Sequence, residues 1–301
     1  MNNNDLISDV VFNELKRRRE ERAKKLEYVE YVRSSDARLK QLNLNLNRLN
    51  RLIAQKNIKG ENSENLLAEK EEFLKEKQNY EKSLFANYNF DFYCKKCRDT
   101  GFVEQKPCSC FKKLYKKILF EKLGITPILS ANFSMDTLSN KTQLNNIYQK
   151  FKTQDLKDFN SCVFFGKCGT GKTFLASCIA DKFERQGDAL FLTAFNLNNV
   201  FIKYHCAPVE EKPFYFSTLT NCDLLVIDDL GSEPIYSKIT LEYLFMVLQA
   251  RKTAKKPFII TTNLSLKEIL SRYGERVFSR MIQEDNTEVY EFNCENLRNL
   301  Q

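Results

Sequence analysis

The residues best placed to do chemistry form one eight-residue loop, Gly166-Lys167-Cys168-Gly169-Thr170-Gly171-Lys172-Thr173. The loop has the spacing G-x-x-x-x-G-K-T, follows the apolar run 162–165 and precedes a predicted helix over 174–183. This strand–loop–helix context is typical of a P-loop, in which backbone amides at a helix N-terminus bind phosphate. We predict that the loop binds ATP, with Lys172 on the β- and γ-phosphates and Thr173 on Mg²⁺. The alternative is a chance glycine-rich turn.

A second motif lies 56 residues after Lys172, where the apolar run 224–227 leads into Asp228 and Asp229. Two carboxylates at the end of a buried strand match a Walker B motif. We predict that Asp228 completes the magnesium shell, usually through water, and that Asp229 polarises the attacking water. Another predicted strand, over 257–263, ends at Asn263. Its amide can reach the water or the γ-phosphate if this strand is adjacent to the strand of Asp228.

Four of the ten cysteines are clustered in the pattern C-x2-C, ten residues, C-x-C, at Cys94, Cys97, Cys108 and Cys110. Four thiolates at such spacings can close a tetrahedral structural zinc site, and the segment 99–101 supplies a tight turn inside the first knuckle. A redox pair is the alternative, which the absence of a surrounding βαβ pattern disfavours. We expect the six scattered cysteines to be small buried hydrophobes, at positions 162, 168, 178, 206, 222 and 294.

The first 90 residues are predicted to be helical. Apolar residues with alternating spacings of three and four form a narrow seam, at Leu39, Leu42, Leu46, Leu49 and Ile53. A second helix over about 63–85 would complete an antiparallel hairpin. We interpret residues 1–90 as a partner-binding region, with an oligomerisation coiled coil as the alternative.

The stretch 94–125 is basic, with nine Lys or Arg residues against three acidic ones. Such a block suggests a polyanionic partner, although a solvated face is the common alternative. Its aromatic neighbours Phe92, Tyr93 and Phe102 could stack on single-stranded bases or pack around the small zinc core. An amphipathic helix is predicted over 111–123, and Gly124 and Pro127 would end it.

From residue 126 onward strands and helices alternate, which favours a parallel sheet with helices on both faces. We therefore predict an α/β fold with a helical region (1–90), a zinc-binding module with a basic linker helix (91–125) and a P-loop ATPase domain (126–301). No apolar run approaches the ~18–20 residues that a bilayer span needs. With no signal-peptide pattern either, we expect a cytoplasmic protein without membrane association.

Four segments in this order, GKCGTGKT, LLVIDDLG, IITTN and YGERVFSR, resemble bacterial replicative-helicase loaders of the DnaC/DnaI type. These are AAA+ ATPases that share a core with IstB transposition helper ATPases. The resemblance covers roughly 126–301, is weaker over the four-cysteine module and is only organisational over 1–90. It implies a sensor 1 role for Asn263, an arginine finger on the neighbouring subunit's ATP for Arg280, and sensor 2 for Arg298. Arg276 belongs to the same motif, and its role stays open.

The resemblance implies a protein that forms a homo-oligomer with ATP and binds single-stranded DNA. It would deliver the hexameric, DnaB-type replicative DNA helicase during replication initiation. Hydrolysis is expected to be slow and switch-like, because Asp229 is one methylene shorter than the glutamate that the family also uses there. Two alternatives remain: an IstB-like transposition helper with a different client, and a DNA-binding adaptor whose nucleotide site is vestigial. Measured ATP binding would separate the adaptor from the other two.

Overall fold

The computed structural model describes residues 4–126, 131–135, 144–282 and 287–293. Two compact units follow from its internal contacts: an N-terminal unit, Leu6–Ile118, and a C-terminal unit that begins at Leu119. Within the described ranges, none of the helices combines the length and the hydropathy that crossing a membrane requires.

The N-terminal unit contains the helices α1 (Asn4–Ser35), α2 (Ala37–Ile58) and α3 (Glu64–Leu84). Helix α2 begins after Asp36, whose carboxylate accepts a 2.8 Å hydrogen bond from the backbone amide of Leu39. The Tyr80 hydroxyl, near the end of α3, donates to the same carboxylate at 3.2 Å. Helices α2 and α3 are therefore antiparallel, as a hairpin requires. The seam is buried on α2 at Leu39, Leu42, Leu46 and Leu49.

The four cysteines lie in a segment with little regular structure of its own. It contains two short antiparallel strands, β1 (Phe102–Val103) and β2 (Lys106–Pro107), and leads into α4 (Ser109–Leu123). Helix α1 packs against this segment, with the Phe12 ring 5.8 Å from the ring of Phe102 and 5.2 Å from that of Phe111. Arginines of α1 also cover the aromatic residues before Cys94: Arg22 lies 4.0 Å above Phe92 and Arg18 lies 4.8 Å above Tyr93.

In the part of the chain that the structure describes, the C-terminal unit is built on a parallel sheet of five strands in the order β4-β5-β6-β3-β7. The strands are β3 (Ser161–Gly166), β4 (Ala189–Thr193), β5 (Leu224–Leu230), β6 (Phe258–Thr262) and β7 (Thr287–Phe292). The central strands are buried along nearly their whole length, as expected for a parallel sheet covered by helices. The predicted fold class is confirmed: an α/β core with a parallel sheet and flanking helices follows a helical region and a four-cysteine module.

Within the described residues, six helices connect or flank these strands: α5 (Asn145–Thr153), α6 (Lys172–Gln186), α7 (Ala194–Cys206), α8 (Lys212–Asn221), α9 (Glu242–Thr253) and α10 (Leu266–Ile282). A π-helical turn, Ser237–Leu241, precedes α9. Helix α10 starts with a capping box, in which the Glu268 carboxylate accepts the backbone amide of Ser265 at 2.7 Å. The helix is interrupted at Gly274, where φ is 77°.

The expectation that the scattered cysteines are buried is wrong for two of them. Cys162, Cys178 and Cys222 are buried, whereas Cys168 and Cys206 are exposed. The reason is their position, since Cys168 lies in the phosphate-binding loop and Cys206 is the last residue of α7. Residue 294 lies outside the described part of the chain.

Candidate functional site

The predicted nucleotide-binding residues come from three neighbouring strands. Strand β6 lies between β3 and β5 and is hydrogen-bonded to both. The carboxyl ends of parallel strands meet at one edge of a sheet, and ligands of open α/β sheets bind at that edge. Because β6 is adjacent to β5, the condition placed on Asn263 is met. The sheet therefore brings the P-loop, the two acids and Asn263 to one place.

The phosphate-binding loop has a backbone that only glycine adopts without strain. Gly166, Gly169 and Gly171 have φ values of 131°, 78° and 91°. A Cβ atom on Gly166 would lie 2.4 Å from the backbone oxygen of Phe292 in β7, so no larger residue fits there. Gly171 is the N-cap of α6, which directs the free amides of the first helical turn into the loop. Lys167 and Cys168 are exposed and Thr170 is buried.

Lys172 lies inside this loop and is only 6% exposed. Its ammonium group donates to the carbonyl oxygens of Gly166 (2.7 Å) and Lys167 (2.6 Å), and to the side-chain oxygen of Asn263 (2.9 Å). A cation held against a loop with a helix N-terminus forms an anion-binding concavity. The arrangement suits a triphosphate, because the ammonium can exchange carbonyl oxygens for phosphate oxygens.

Asp228 is held by hydroxyl groups from both sides. Its Oδ1 atom accepts hydrogen bonds from Thr173 Oγ1 at 2.8 Å and from Thr261 Oγ1 at 2.6 Å. Burial raises the pKa of Asp228 above its ordinary value, and the two hydroxyl hydrogen bonds oppose that rise. A carboxylate beside a threonine hydroxyl is a set of hard oxygen ligands that fits Mg²⁺. The geometry is consistent with the ligands predicted, Thr173 and Asp228.

Asp229 lies in a local irregularity of β5. The pairing of β5 with β6 shifts register between Ile227 and Leu230, and Asp229 has a left-handed φ of 56°. Its carboxylate accepts a 2.8 Å hydrogen bond from Asn263 Nδ2. Since Asn263 also accepts from Lys172, one amide links the cation of the P-loop to the predicted catalytic acid. Irregular backbone of this kind re-aims a side chain and is frequent next to active sites.

Thr261 is a site residue that the sequence reasoning missed. Its hydroxyl donates to Asp228 and accepts from the backbone amide of Asp229 at 2.9 Å, so it fixes both acids. The available signal was its spacing: Thr261 lies two residues before Asn263, and alternate residues of a strand face the same side.

The two arginines of the predicted finger motif lie on α10 after the interruption at Gly274. Arg276 forms a 3.2 Å ion pair with Glu242 and lies 3.9 Å above the ring of Phe245. The Arg280 guanidinium is 5.9 Å from the same ring. The two cations therefore share one face against α9, as residues four apart on a helix do. The finger role concerns a neighbouring subunit and remains a prediction, and Arg298 lies outside the described residues.

The sulfur atoms of Cys94, Cys97, Cys108 and Cys110 all lie within 4.8 Å of one another. The Cys94–Cys108 and Cys97–Cys110 sulfur distances are 3.8 Å and 3.3 Å. Zn–S bonds of about 2.3 Å in a tetrahedron place sulfurs about 3.8 Å apart, so the four thiols fit a zinc ion. A backbone hydrogen bond from Cys97 lowers the pKa of Cys94 to about 7, and burial raises the pKa of Cys110.

Asp99 organises the first cysteine pair from within the turn. It is 1% exposed, and its two carboxylate oxygens accept the backbone amides of Cys94 at 2.8 Å and Tyr93 at 3.0 Å. Arg98 and Asp99 both have positive φ values, 51° and 57°, so the chain reverses tightly between the two halves of the site. The sequence predicts the turn but not the capping role of the carboxylate.

Comparison with known families matches residues 133–288 to the family described as IstB-like ATP binding protein. The matched region is slightly more than half of the 301-residue chain and contains the P-loop, both acids, Asn263 and Arg280.

Individual relatives are similar to a part of the chain. The chain is 28% identical to the replicative helicase loader DnaC of Escherichia coli K12 over 168 residues, which is 54% of this chain and 67% of that protein. It is 29% identical to DnaC of Buchnera aphidicola subsp. Baizongia pistaciae over 129 residues, 42% of this chain and 51% of that one. A crystal structure of the DnaC helicase loader aligns with a TM-score of 0.42 and 26% identity, covering 52% of this chain and 92% of that one.

Proposed function

Because the chain belongs to the IstB-like ATP-binding protein family, we propose that it is an ATP-dependent loader of the replicative DNA helicase. The observation that carries the ATP-dependent part is the hydrogen-bonded chain from Lys172 through Asn263 to Asp229. The loader part is supported by the similarity to DnaC, which is 28% identical over 168 residues.

In this proposal Lys172 and the loop amides bind the phosphates of ATP. Thr173 and Asp228 hold Mg²⁺, which supplies positive charge to the phosphate oxygens. Asp229 and Asn263 orient the attacking water, with Asp229 as the group that polarises it. Hydrolysis is slow and switch-like in this proposal, because the side chain of Asp229 is one methylene shorter than that of glutamate. Arg280 completes the site of a neighbouring subunit, so the ATP-bound state is a homo-oligomer.

The N-terminal unit takes the client-binding role in this proposal. Its four cysteines hold a structural zinc ion, and the α2–α3 hairpin and α1 present the surface for the hexameric helicase. Single-stranded DNA is bound by the ATP-bound oligomer, and the protein acts in the cytoplasm. An IstB-like transposition helper is the second candidate, because the matching family model is described as IstB-like. The two candidates use the same ATP chemistry and differ in the client.

The test is a capture and loading assay with the full-length chain. We expect it to capture the host's hexameric helicase and, with ATP and Mg²⁺, to start unwinding of a forked DNA. Lys172→Ala should weaken ATP binding by at least about 100-fold and prevent loading, because it removes a buried charge-assisted contact. Lys157→Ala, which changes an exposed lysine of the same unit, is the matched control.

Each contrary outcome points elsewhere. Loading by Lys172→Ala at the normal rate would refute the ATP switch. Capture of a transposase in place of the helicase would favour the transposition helper. A wild-type chain that ignores millimolar ATP would favour the adaptor with a vestigial site.

A further inference from the structure

Glu233 is a buried acid that the ATP chemistry described above does not use. It lies three residues after β5 and is only 2% exposed. One carboxylate oxygen accepts the backbone amide of Gly231 at 2.8 Å, and the other accepts the hydroxyl of Tyr273. The backbone oxygen of Glu233 accepts a 2.6 Å hydrogen bond from Arg272. Glu233 is thus held by two consecutive residues of α10.

On one side, this contact is tied to the predicted catalytic acid. The backbone amide and the hydroxyl of Ser232 both donate to the backbone oxygen of Asp229, at 3.2 Å and 2.8 Å. Gly231 has a φ of 112°, and a Cβ atom there would lie 2.7 Å from the side chain of Leu264. Residues 229–233 therefore form one closed, tightly packed turn, which is held by contacts of its own and offers a fixed point to the hydroxyl of Tyr273.

On the other side, the contact is tied to the arginine-bearing part of α10. Tyr273 is the last residue before the interruption at Gly274, and segment 275–282 follows it. That segment carries Arg276 and Arg280 over the ring of Phe245. The hydrogen bond from the Tyr273 hydroxyl to Glu233 therefore connects the start of segment 275–282 to the turn of Asp229.

The chemistry of the pair makes its geometry strict. A carboxylate taken out of water is costly unless hydrogen bonds replace its hydration, so Glu233 stays buried only while its donors stay in place. Burial, together with the adjacent Glu233, raises the pKa of Tyr273 well above its ordinary value, and the phenol remains a donor at neutral pH. Two apolar side chains would fill the same space without fixing their relative orientation. A hydrogen bond between two buried groups does fix the orientation of one group toward the other.

We propose that Glu233 and Tyr273 are positioning residues for ATP hydrolysis in the neighbouring subunit. Their hydrogen bond holds segment 275–282 in a fixed relation to the Asp229 turn and so sets how Arg280 is presented across the subunit boundary. This inference rests on the proposed function, in which Arg280 acts on the ATP of a neighbour.

The experiment mixes two full-length variants that are each inactive alone. Lys172→Ala subunits lack a working site and supply arginines, and Arg280→Ala subunits supply a working site. A mixture should regain ATP hydrolysis. Adding Tyr273→Phe to the arginine donor should lower the regained rate roughly 10- to 100-fold, since small misplacements of a catalytic group cost that much. Glu233→Gln in the same donor should give a loss of the same kind.

Two comparisons separate positioning from general damage. Tyr273→Phe placed in the site donor instead should leave the regained rate within about twofold. That subunit's arginines are not in use, and its Asp229 turn keeps the hydrogen bonds of Ser232 and Gly231, which do not involve Tyr273. Tyr243→Phe in the arginine donor is the matched control. It removes a tyrosine hydroxyl of α9 that lies at hydrogen-bond distance, 2.7 Å, from His205 of α7. The affinity of Tyr273→Phe single-variant subunits for ATP should equal that of the wild type.

The possible failures are distinguishable. If the unmodified pair of variants does not regain activity, Arg280 does not act across subunits, and this inference falls with that part of the proposed function. If the pair regains activity and Tyr273→Phe in the arginine donor changes nothing, the positioning role alone is refuted. An equal loss with Tyr273→Phe in either donor would also refute it, because a merely structural contact predicts that result.

Discussion

At the candidate nucleotide site, side chains from separate strands and from the start of α6 hold one another. Thr173 and Thr261 bond Asp228, and Asn263 joins Lys172 to Asp229. At the four-cysteine site, the surrounding segment has two strands of two residues each. Among the described residues, the four sulfurs converge there without a comparable network of side-chain hydrogen bonds between strands. The sheet therefore preorganises the first site, whereas we expect the second to depend on what its thiols bind.

Each site has one buried aspartate, and the two have different partners. Asp228 accepts hydroxyl groups that also face the space where a nucleotide would bind. Asp99 accepts backbone amides and so fixes the course of the chain. A carboxylate with side-chain partners can serve ligand chemistry, while one that caps backbone amides serves a local fold. Substitutions at the two sites should accordingly differ in what they damage.

The largest expected effect is loss of the N-terminal unit's structure in Cys97→Ser. This cysteine is 5% exposed, and without its thiolate a tetrahedral zinc site loses a ligand. We expect bound zinc to fall from about one ion per chain to nearly none, because structural zinc sites need all four ligands. Protease cleavage within 88–111 should appear, and the affinity for ATP should stay unchanged. Cys206→Ser, at an exposed cysteine, is the control. If Cys97→Ser keeps its full zinc content and its resistance to protease, the difference drawn here between the two sites is contradicted.

The next effect is on catalysis, in Asp229→Asn. Asparagine keeps the oxygen that accepts from Asn263, so the site should still assemble and bind ATP normally. Loss of the carboxylate as a proton acceptor should lower kcat by about 100- to 10,000-fold. ATP affinity and single-turnover hydrolysis would be measured side by side. Asp181→Asn, which breaks an exposed ion pair with Arg185, should change neither. A parallel loss of ATP binding in Asp229→Asn would mean that this acid binds the nucleotide or holds the fold.

The sequence predicts those features that consecutive residues carry. The P-loop, the acid pair and the cysteine pairs are each local in the chain, so their spacing is enough to indicate their chemistry. Strand order is not local: Thr261 reaches Asp228 only because β6 lies next to β5. The sequence predicts a role for Asn263 on the condition that its strand is adjacent to the strand of Asp228. It does not distinguish the hydroxyl of Thr261 from that of an ordinary strand threonine.

The same limit applies in the N-terminal unit. Spacing predicts the leucine seam of α2, because helical periodicity is a property of one segment. The packing of α1 on the cysteine segment joins Phe12 to Phe102 and Phe111, which lie 90 and 99 residues further along the chain. No pattern within either segment indicates that contact. Glu233 was missed for a related reason, since a single acid after a strand resembles a surface residue until its partner Tyr273 is known.

A smaller effect is expected from Asp99→Asn, which tests whether this buried carboxylate serves the local fold. The amide keeps one acceptor oxygen and places a donor against a backbone N–H, so one buried amide loses its partner. The expected cost is about 1–3 kcal/mol of stability in the N-terminal unit, with zinc affinity lowered about 10- to 100-fold. Competition with a chromogenic chelator measures the affinity. Asp91→Asn, at an exposed acid paired with Lys95, is the control. Equal zinc affinity in Asp99→Asn and the wild type would refute the capping role.

The smallest effect is expected at Thr261, where valine removes the hydroxyl and keeps the shape. Asp228 then loses one of two hydroxyl donors, and the backbone amide of Asp229 loses its acceptor. Because the acids remain, we expect kcat to fall about tenfold, which corresponds to about 1.4 kcal/mol, with ATP affinity within about threefold. Thr261→Ser restores the hydroxyl and should recover most of the rate. If Thr261→Ser is as slow as Thr261→Val, the methyl group and not the hydroxyl matters. Packing of side chains, and not the hydrogen-bond network, would then be what distinguishes the nucleotide site from the cysteine site.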